Sequence, residues 1–512
     1  EFSNETRPLA FIIKFVLDYW YAVLLIPIVI FLLKHISKIT TLKYNKIQIT
    51  IPHFFIALTL AFSLLTLTVY GLRGSFIYKN RPITISNAGK YAKTPNEISL
   101  IINTPFSLIR TATIQDLDPK NFFSDEQLEK IYPVIKQYDS NEKPKKNVVI
   151  IILESMATEY YGVFNNYEGY TPFLDSLISQ SYTSYNTFAN GKKSIDAIPS
   201  ILASIPAVKF HFTLSKYCTN NIQGIGNILQ EQGYYTSFFH GAPNGSMGFE
   251  SISALCGMDH YYGMDDYGNN DDFDGLWGIW DHKFLNYYAN QLNKMPEPFC
   301  SSIMTCSSHH PYIIPKEFKN KFKKGTWPMH ECVQYTDYSL KLFFDSIKNN
   351  SWYNNTLFII TADHTNYAAN KLYNTSTGIF RVPIIFFDPS NQDLKGISKK
   401  IVQHIDIMPS ILGYIKYPEK YISFGSNVFA NNEQDSYAIN YHNGFQLISP
   451  NTLVQYNEQE NKITGVFDFK KDKLLKNNIK NQSDSIAILE NKIKGFIQQY
   501  NNRMIENNLI VK

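Results

Sequence analysis

Cysteine is scarce in this sequence. Its five copies in 512 residues (Cys218, Cys256, Cys300, Cys306 and Cys332) show no CxxC spacing, which excludes a zinc ribbon or a thioredoxin-type redox site. Excess charge is missing too. Lys and Arg number 48 against 44 Asp and Glu, a net +4, and no basic stripe alternates with stacking aromatics, so nothing points to nucleic acid as a partner. No segment repeats at a fixed period, which excludes a repeat array. Between Ile51 and Leu72 charge is absent altogether, and from Leu9 to Leu33 the chain is almost wholly apolar. Each run is long enough to cross a bilayer, the alternative being a buried helical hairpin.

What is present is ample material for a core. Hydrophobic residues make up 44% and aromatics 15%, and the chain is too long for one ordinary domain. Lys34, Lys38, Lys43 and Lys46 lie between the two apolar runs, so the positive-inside rule makes that loop cytoplasmic and sends everything after Leu72 outward. Arg73, Lys79 and Arg81 just beyond the second run weaken this signal. The chain starts at Glu1 rather than methionine, and the expectation is a truncated multi-pass domain in the cytoplasmic membrane, residues 1–72, with the catalytic part extracytoplasmic. Residues 73–146 read as an extracytoplasmic linker with a polar helix over 124–137, closed by the charged boundary SNEKPKKN. One or two disulfides are compatible with an extracytoplasmic domain.

The next stretch, NVVIIILES, is a run of apolar, mostly β-branched residues that stops at Glu154. It reads as a buried parallel strand delivering a carboxylate to the C-terminal edge of a sheet, where open α/β sheets bind ligands. Thr356 to Ala362, TLFIITA, does the same with Asp363 and His364. Each acid alone could be a helix cap or a turn residue; together, donors fixed at two strand ends suit a divalent cation. Helices are predicted at 172–179, after Ser194, and over 222–232 and 335–348, with further strands at 234–239, 301–305 and 382–387. This alternation predicts an α/β fold, a mostly parallel sheet flanked by helices, spanning 147–430. From 431 to 512 the pattern becomes a hairpin with Asn-Gly at its turn, then a polar helix over 483–501.

The candidate nucleophile is Ser194 in NGKKSIDAIPSILASIP, at the start of an apolar helix where the dipole favours an alkoxide and a bound phosphate. A plain N-cap serine is the alternative. Taken with Glu154, Asp363 and His364, this segment resembles the lipoteichoic acid synthase-like phosphoglycerol transferases of the alkaline phosphatase and sulfatase superfamily, over roughly 147–430. The resemblance implies an alkaline-phosphatase-like fold, Ser194 in place of a threonine nucleophile that also touches the metal, and Glu154, Asp363 and His364 as metal ligands. It places His309, in Ser308-His309-His310-Pro311-Tyr312, against the substrate phosphate, and matches Phe239-His240-Gly241 to a segment that makes His240 a substrate-binding candidate. The segment HIDIMPSIL from His404 resembles one recurring near the end of the superfamily's core.

Two departures matter. Where the family's phosphoglycerol pocket uses a tryptophan and an arginine after Phe-His-Gly, this chain reads APNGSMGFE, with Met247 and Phe249 and no cation. Ser194 is followed by Ile-Asp-Ala-Ile, not the x-Pro-x-Arg that directs formylglycine formation, which argues against sulfate-ester hydrolysis by that route. The resemblance implies one divalent metal, manganese first with zinc or magnesium as alternatives, a phospholipid donor, a glycan or glycolipid acceptor, and a membrane setting. Phosphoethanolamine transfer, a sulfatase-like phosphodiesterase, and a membrane-tethered binding protein with a vestigial metal site are the competing functions.

Overall fold

The computed structural model describes residues 27–28, 30–35, 37–38, 50–73, 101, 116–138, 145–430, 432–479 and 484–511. The chain divides into two units, Glu1–Pro82 and Ile83–Lys512. In the first, helix α1 (Ile51–Arg73) holds a 21-residue stretch, Ile51–Gly71, which among the described residues is the one helix long and apolar enough to cross a membrane. Three of its hydroxyls are satisfied inside the helix, as a nonpolar medium demands: those of Thr59, Thr66 and Thr68 donate to the carbonyls four residues back, each at 2.8 Å. Most of the other expected span, from Leu9 to Leu33, lies outside the described residues.

The second unit opens with helix α2 (Asp125–Ile131) and the two-residue strand β1 (Ile135–Lys136), followed by β2 (Asn147–Leu153), α3 (Pro172–Ile178) and β3 (Tyr182–Phe188). Next come α4 (Ser194–Ala203), α5 (Ile225–Gln230), β4 (Tyr235–His240), α6 (Phe249–Leu255), β5 (His260–Tyr262), α7 (Asp281–Leu292) and β6 (Phe299–Met304). The core closes with α8 (Met329–Ile347), β7 (Thr356–Ala362), β8 (Ile384–Phe387), β9 (Gly396–Gln403), α9 (Ile407–Tyr414) and β10 (Tyr421–Ile422). The C-terminal part holds β11 (Ala438–Tyr441), β12 (Phe445–Ile448), β13 (Thr452–Asn457), β14 (Lys462–Asp468) and α10 (Asp484–Ile505).

Eight strands form one sheet in the order β5-β4-β6-β2-β7-β8-β3-β9, in which only β8 runs antiparallel to its neighbours. This is the α/β architecture the alternation predicted. Its centre is β2, whose seven residues are all buried because both faces are covered. Val148, Ile150 and Ile152 pack with α4, α5, α6 and α9, while Val149, Ile151 and Leu153 pack with α3, α7 and α8. Burying each such side chain stabilises the fold by about 1.5–3 kcal/mol, so β2 is a rigid support for Glu154 at its end.

Several expectations need correction. The helix expected over 124–137 ends at Ile131, because Pro133 two residues on cannot continue it, and the chain turns into β1, which pairs with β10. Ser124 and Gln127 form a reciprocal capping box at its start. Residues 116–138, within the stretch expected as a linker, pack on the second unit: Tyr132 and Val134 join the core, and the Gln498 side-chain amide on α10 accepts from the Phe122 N–H at 2.7 Å. The C-terminal hairpin, with its turn at Asn443-Gly444, is the first half of a four-stranded antiparallel sheet, β11 to β14. No disulfide forms: all five cysteines are free and buried.

Candidate active site

Three segments meet at the C-terminal edge of β2 and β7. Glu154 follows β2 directly, and Ser155 after it adopts a left-handed backbone (φ 57°), which costs a serine about 1–2 kcal/mol. That turn aims the Ser155 N–H at Asp363 Oδ1 (2.7 Å), while the Ser155 hydroxyl donates to Glu154 Oε1 (2.7 Å). Asp363 follows β7; its N–H donates to the Leu153 carbonyl at 3.0 Å, continuing the ladder past the strand end. The adjacent His364 donates its own N–H to Asp363 Oδ1 (2.7 Å). Glu154, Asp363 and His364 offer ligand atoms within 4.8 Å of one another.

Ser194 comes from the third segment. The cap position of α4 is held by Lys193, so the serine is the first helical residue and its hydroxyl is not used as a cap. Its Oγ lies 3.4 Å from both Glu154 Oε2 and His364 Nε2. The turn before it needs Gly191, because a Cβ there would fall 2.1 Å from the Asp196 Cβ. The N-terminus of α4 therefore brings the Ser194 hydroxyl to the Glu154 carboxylate and the His364 ring.

The donor chemistry fits a divalent cation. Asp363 Oδ2 is buried and has no hydrogen-bond partner, an arrangement costly for a carboxylate unless a cation meets it. His364 Nδ1 faces the Thr365 carbonyl at 2.7 Å, which fixes the proton there and turns the Nε2 lone pair toward the carboxylates. Glu154 is pushed up to about 8, first by burial and then by the charge of Asp363. Burial lowers the His364 pKa, but the charges of Asp363 and Glu154 outweigh it and the net shift is upward. Of these groups His364 is the most accessible, at 15% of its side chain, so the site opens on its side.

The other histidines lie around this centre. His309 is half-buried, with its ring centroid 3.7 Å from that of Trp277 and its Nδ1 3.1 Å from the His310 carbonyl; burial lowers its pKa. His240 ends β4, is buried against the Phe249 ring, and is pushed down to about 4 by burial. Its Nδ1 lies 3.4 Å from the Met304 carbonyl and 3.6 Å from Cys306 Sγ, so its contacts are to β6 and the turn after it rather than to Ser194. His404, also pushed down to about 4 by burial, holds its Nε2 2.9 Å from the Ala362 carbonyl, behind Asp363.

Supporting residues went unread in the sequence. Thr305 Oγ1 accepts from the Glu154 N–H (3.0 Å), and the Ser308 hydroxyl donates to the Glu154 carbonyl (2.8 Å). Buried Asp281 accepts from the N–H groups of Cys306 (2.9 Å) and Ser307 (3.2 Å), shaping the turn that leads to His309. Trp277 donates from Nε1 to the His310 carbonyl at 2.6 Å. Only Ser308 sat inside a motif that could have drawn attention to it. Beside the Ser194 turn lies an open cavity of about 390 Å³, lined in part by Lys192, His211, Phe380, Tyr441 and His442.

A sequence model of the family described as Sulfatase matches residues 146–417, more than half of the chain. The chain belongs to the sulfatase family. Within the wider superfamily it is lipoteichoic acid synthase-like. It is 26% identical over 350 residues to the lipoteichoic acid synthase of Staphylococcus aureus (strain bovine RF122 / ET3-1), covering 62% of this chain and 54% of that protein. It is likewise 26% identical over 246 residues to the lipoteichoic acid synthase-like YvgJ of Bacillus subtilis (strain 168), covering 46% of this chain and 39% of that one. The chain thus spans about half the length, or less, of the curated relatives it matches.

Solved structures agree on the fold. A protein in the alkaline phosphatase superfamily from Vibrio parahaemolyticus superposes with a TM-score of 0.64 at 23% identity, covering 79% of this chain and 96% of that one. The lipoteichoic acid synthase LtaP from Listeria monocytogenes gives 0.63 at 19% identity, covering 76% and 100%. Ser194 is followed by Ile-Asp-Ala-Ile rather than by the proline and arginine of the formylglycine signal.

Proposed function

We propose that this chain is a membrane-anchored, metal-dependent phosphotransferase with an extracytoplasmic catalytic domain. It moves a phosphoglycerol-type head group from a phospholipid to a hydroxyl of a glycan or glycolipid through a covalent phosphoserine at Ser194. The observation that carries the reading is the convergence of Ser194 with Glu154, Asp363 and His364 from three separate segments. Those four residues would hold one divalent cation, manganese in preference to zinc or magnesium, and it would supply Lewis acidity that eases ionisation of the serine hydroxyl and offsets phosphoryl charge.

In the first displacement Ser194 Oγ attacks phosphorus; the new Oγ–P bond replaces the bond to the diacylglycerol oxygen, which leaves with a proton. In the second, the acceptor hydroxyl attacks the same phosphorus, loses its proton, and returns Ser194 as a free hydroxyl. Protons balance over the two steps. We assign the proton handling to His309, whose Nδ1 lies 3.1 Å from the His310 carbonyl and leaves Nε2 as the exchangeable position. His240, buried and neutral, serves as a polar wall of the head-group pocket. The cavity beside the Ser194 turn gives room for an acceptor's polar groups.

Mass spectrometry of the Ser194 peptide after exposure to lipid extract tests this, since the added mass names the group. Labelled phosphatidylglycerol and phosphatidylethanolamine, with and without a glycan acceptor, separate transfer from hydrolysis. An unmodified Ser194 with full turnover would sink the reading.

A further inference from the structure

The loop leaving β6 carries an apolar and cationic rim that the proposed chemistry does not use. From Ile313 to Trp327 it reads IIPKEFKNKFKKGTW, five lysines against one glutamate. Two of the lysines are engaged locally. Lys323 pairs with Glu168 at 2.7 Å, and the Lys321 ammonium lies 3.6 Å from the centroid of the Tyr338 ring. The one glutamate, Glu317, faces His282 Nε2 at 3.1 Å. Lys316, Lys319 and Lys324 are exposed and make no ion pair among the described residues.

Apolar groups stand out from the same edge. Trp327 and Tyr367 are 40% and 65% exposed yet pack on each other, ring centroids 4.5 Å apart, and Ile313 is exposed beside the lysines in sequence. Tyr367 lies three residues beyond His364, and the adjacent Asn366 donates from Nδ2 to the Tyr312 hydroxyl at 2.9 Å. Trp277, also exposed, is tied to the His310 carbonyl. These bonds knit the loops 274–278, 309–327 and 364–367 into one rim beside His309 and His364.

We infer that this rim is a lipid-contact surface for an anionic bilayer. Tryptophan, tyrosine and isoleucine side by side with unpaired lysines is the composition of the membrane–water interface, where rings enter the head-group layer and ammonium groups lie over its phosphates. This chain also carries a helix of membrane-spanning length. The inference rests on the phospholipid-donor reading, and gives it a route: a donor in the leaflet reaches His309 and Ser194 without entering bulk water.

All five native cysteines are buried, so Thr326→Cys can be labelled selectively with a polarity-sensitive dye. Asn349→Cys, at the opposite end of the strands between α8 and β7, is the control. In phosphatidylglycerol-rich proteoliposomes the label at position 326 is expected to shift to the blue and be quenched by nitroxide lipids, more than in phosphatidylcholine, with no change at 349. Combined Lys316→Glu, Lys319→Glu and Lys324→Glu should abolish the shift and raise the apparent KM for a bilayer donor roughly tenfold or more, leaving kcat/KM for a short-chain, water-soluble donor unchanged. Identical emission in vesicles and detergent, or an unaltered KM in the triple variant, overturns the inference. A label that inserts while neither donor turns over supports the surface and refutes the donor reading.

Discussion

Metal binding to this site should expel protons, and their number should depend on pH in a way the geometry fixes. Glu154 and Asp363 bring two carboxylates into one buried place, and Glu154 is held up near 8 by burial first and by Asp363 second, against an ordinary 4.5. The folded metal-free chain therefore keeps a proton up to about pH 8 that the unfolded chain gives up near 4.5. The stability linked to this proton is full below the lower value and lost as pH rises through the upper one. A cation takes the proton's place. Below about pH 8 the proton is retained, and above it the proton is largely lost. His364, raised overall by the charges of Asp363 and Glu154, adds to the protons available for release. Titration calorimetry of manganese into the chain, in two buffers of different ionisation heat, counts them. More protons should be released at pH 6.5 than at pH 9, and Glu154→Gln should reduce the release at the lower pH. Release that does not change with pH would refute the shared-proton argument.

Three further outcomes are expected. Ser194→Ala should lower transfer by roughly a thousandfold or more and leave no phosphorylated peptide; turnover within about tenfold of the parent would mean another nucleophile. Trp277→Ala frees the His309 ring and should reduce kcat for head-group transfer by about tenfold while shifting the pH profile, with the urea midpoint little changed because Trp277 is exposed. Asp281→Ala strips the acceptor from Cys306, Ser307 and the Thr336 hydroxyl, which should cost about 3–5 kcal/mol in urea unfolding; a loss under about 1 kcal/mol would show that water replaces the carboxylate.

Strands β2 and β7 were legible to the residue because both are unbroken runs of buried apolar side chains ended by an acid. Strand β3 was not, since YTSYNTF reads as polar. Its buried hydroxyls are spent on neighbouring backbone instead, Thr183 donating to the Ile384 carbonyl at 2.6 Å and Ser184 to that of Ser398 at 3.0 Å. Strand β9 hid for a related reason: GISKKIVQ lies at the sheet's edge, where lysines blunt unpaired backbone, and buries only its last three residues. At the site, strand-end placement pointed to Glu154, Asp363 and His364. Bringing Ser194 to them was the work of the resemblance, because no periodicity relates positions 40 and 170 residues apart. Asp281 and Trp277 act through backbone carbonyls and N–H groups, a kind of contact that leaves no spacing signal.

The segment following β4 is where this chain departs furthest from the pattern it resembles. The stretch after Phe239-His240-Gly241 places buried Phe249 against His240 and exposed Met247 in a left-handed turn, so neither an indole nor a guanidinium comes from that loop. An indole does come from the 274–278 loop, where Asp274 Oδ1 accepts from the N–H groups of Leu276 (2.7 Å), Trp277 (2.7 Å) and Gly278 (3.2 Å) and so fixes the ring over His309. The nearby acid is thereby committed to backbone, and His240 is neutral. Phe249 and His240 are both buried, so of these groups the exposed Trp277 indole is the one a head group can meet, and its face packs on a diol and also attracts an ammonium.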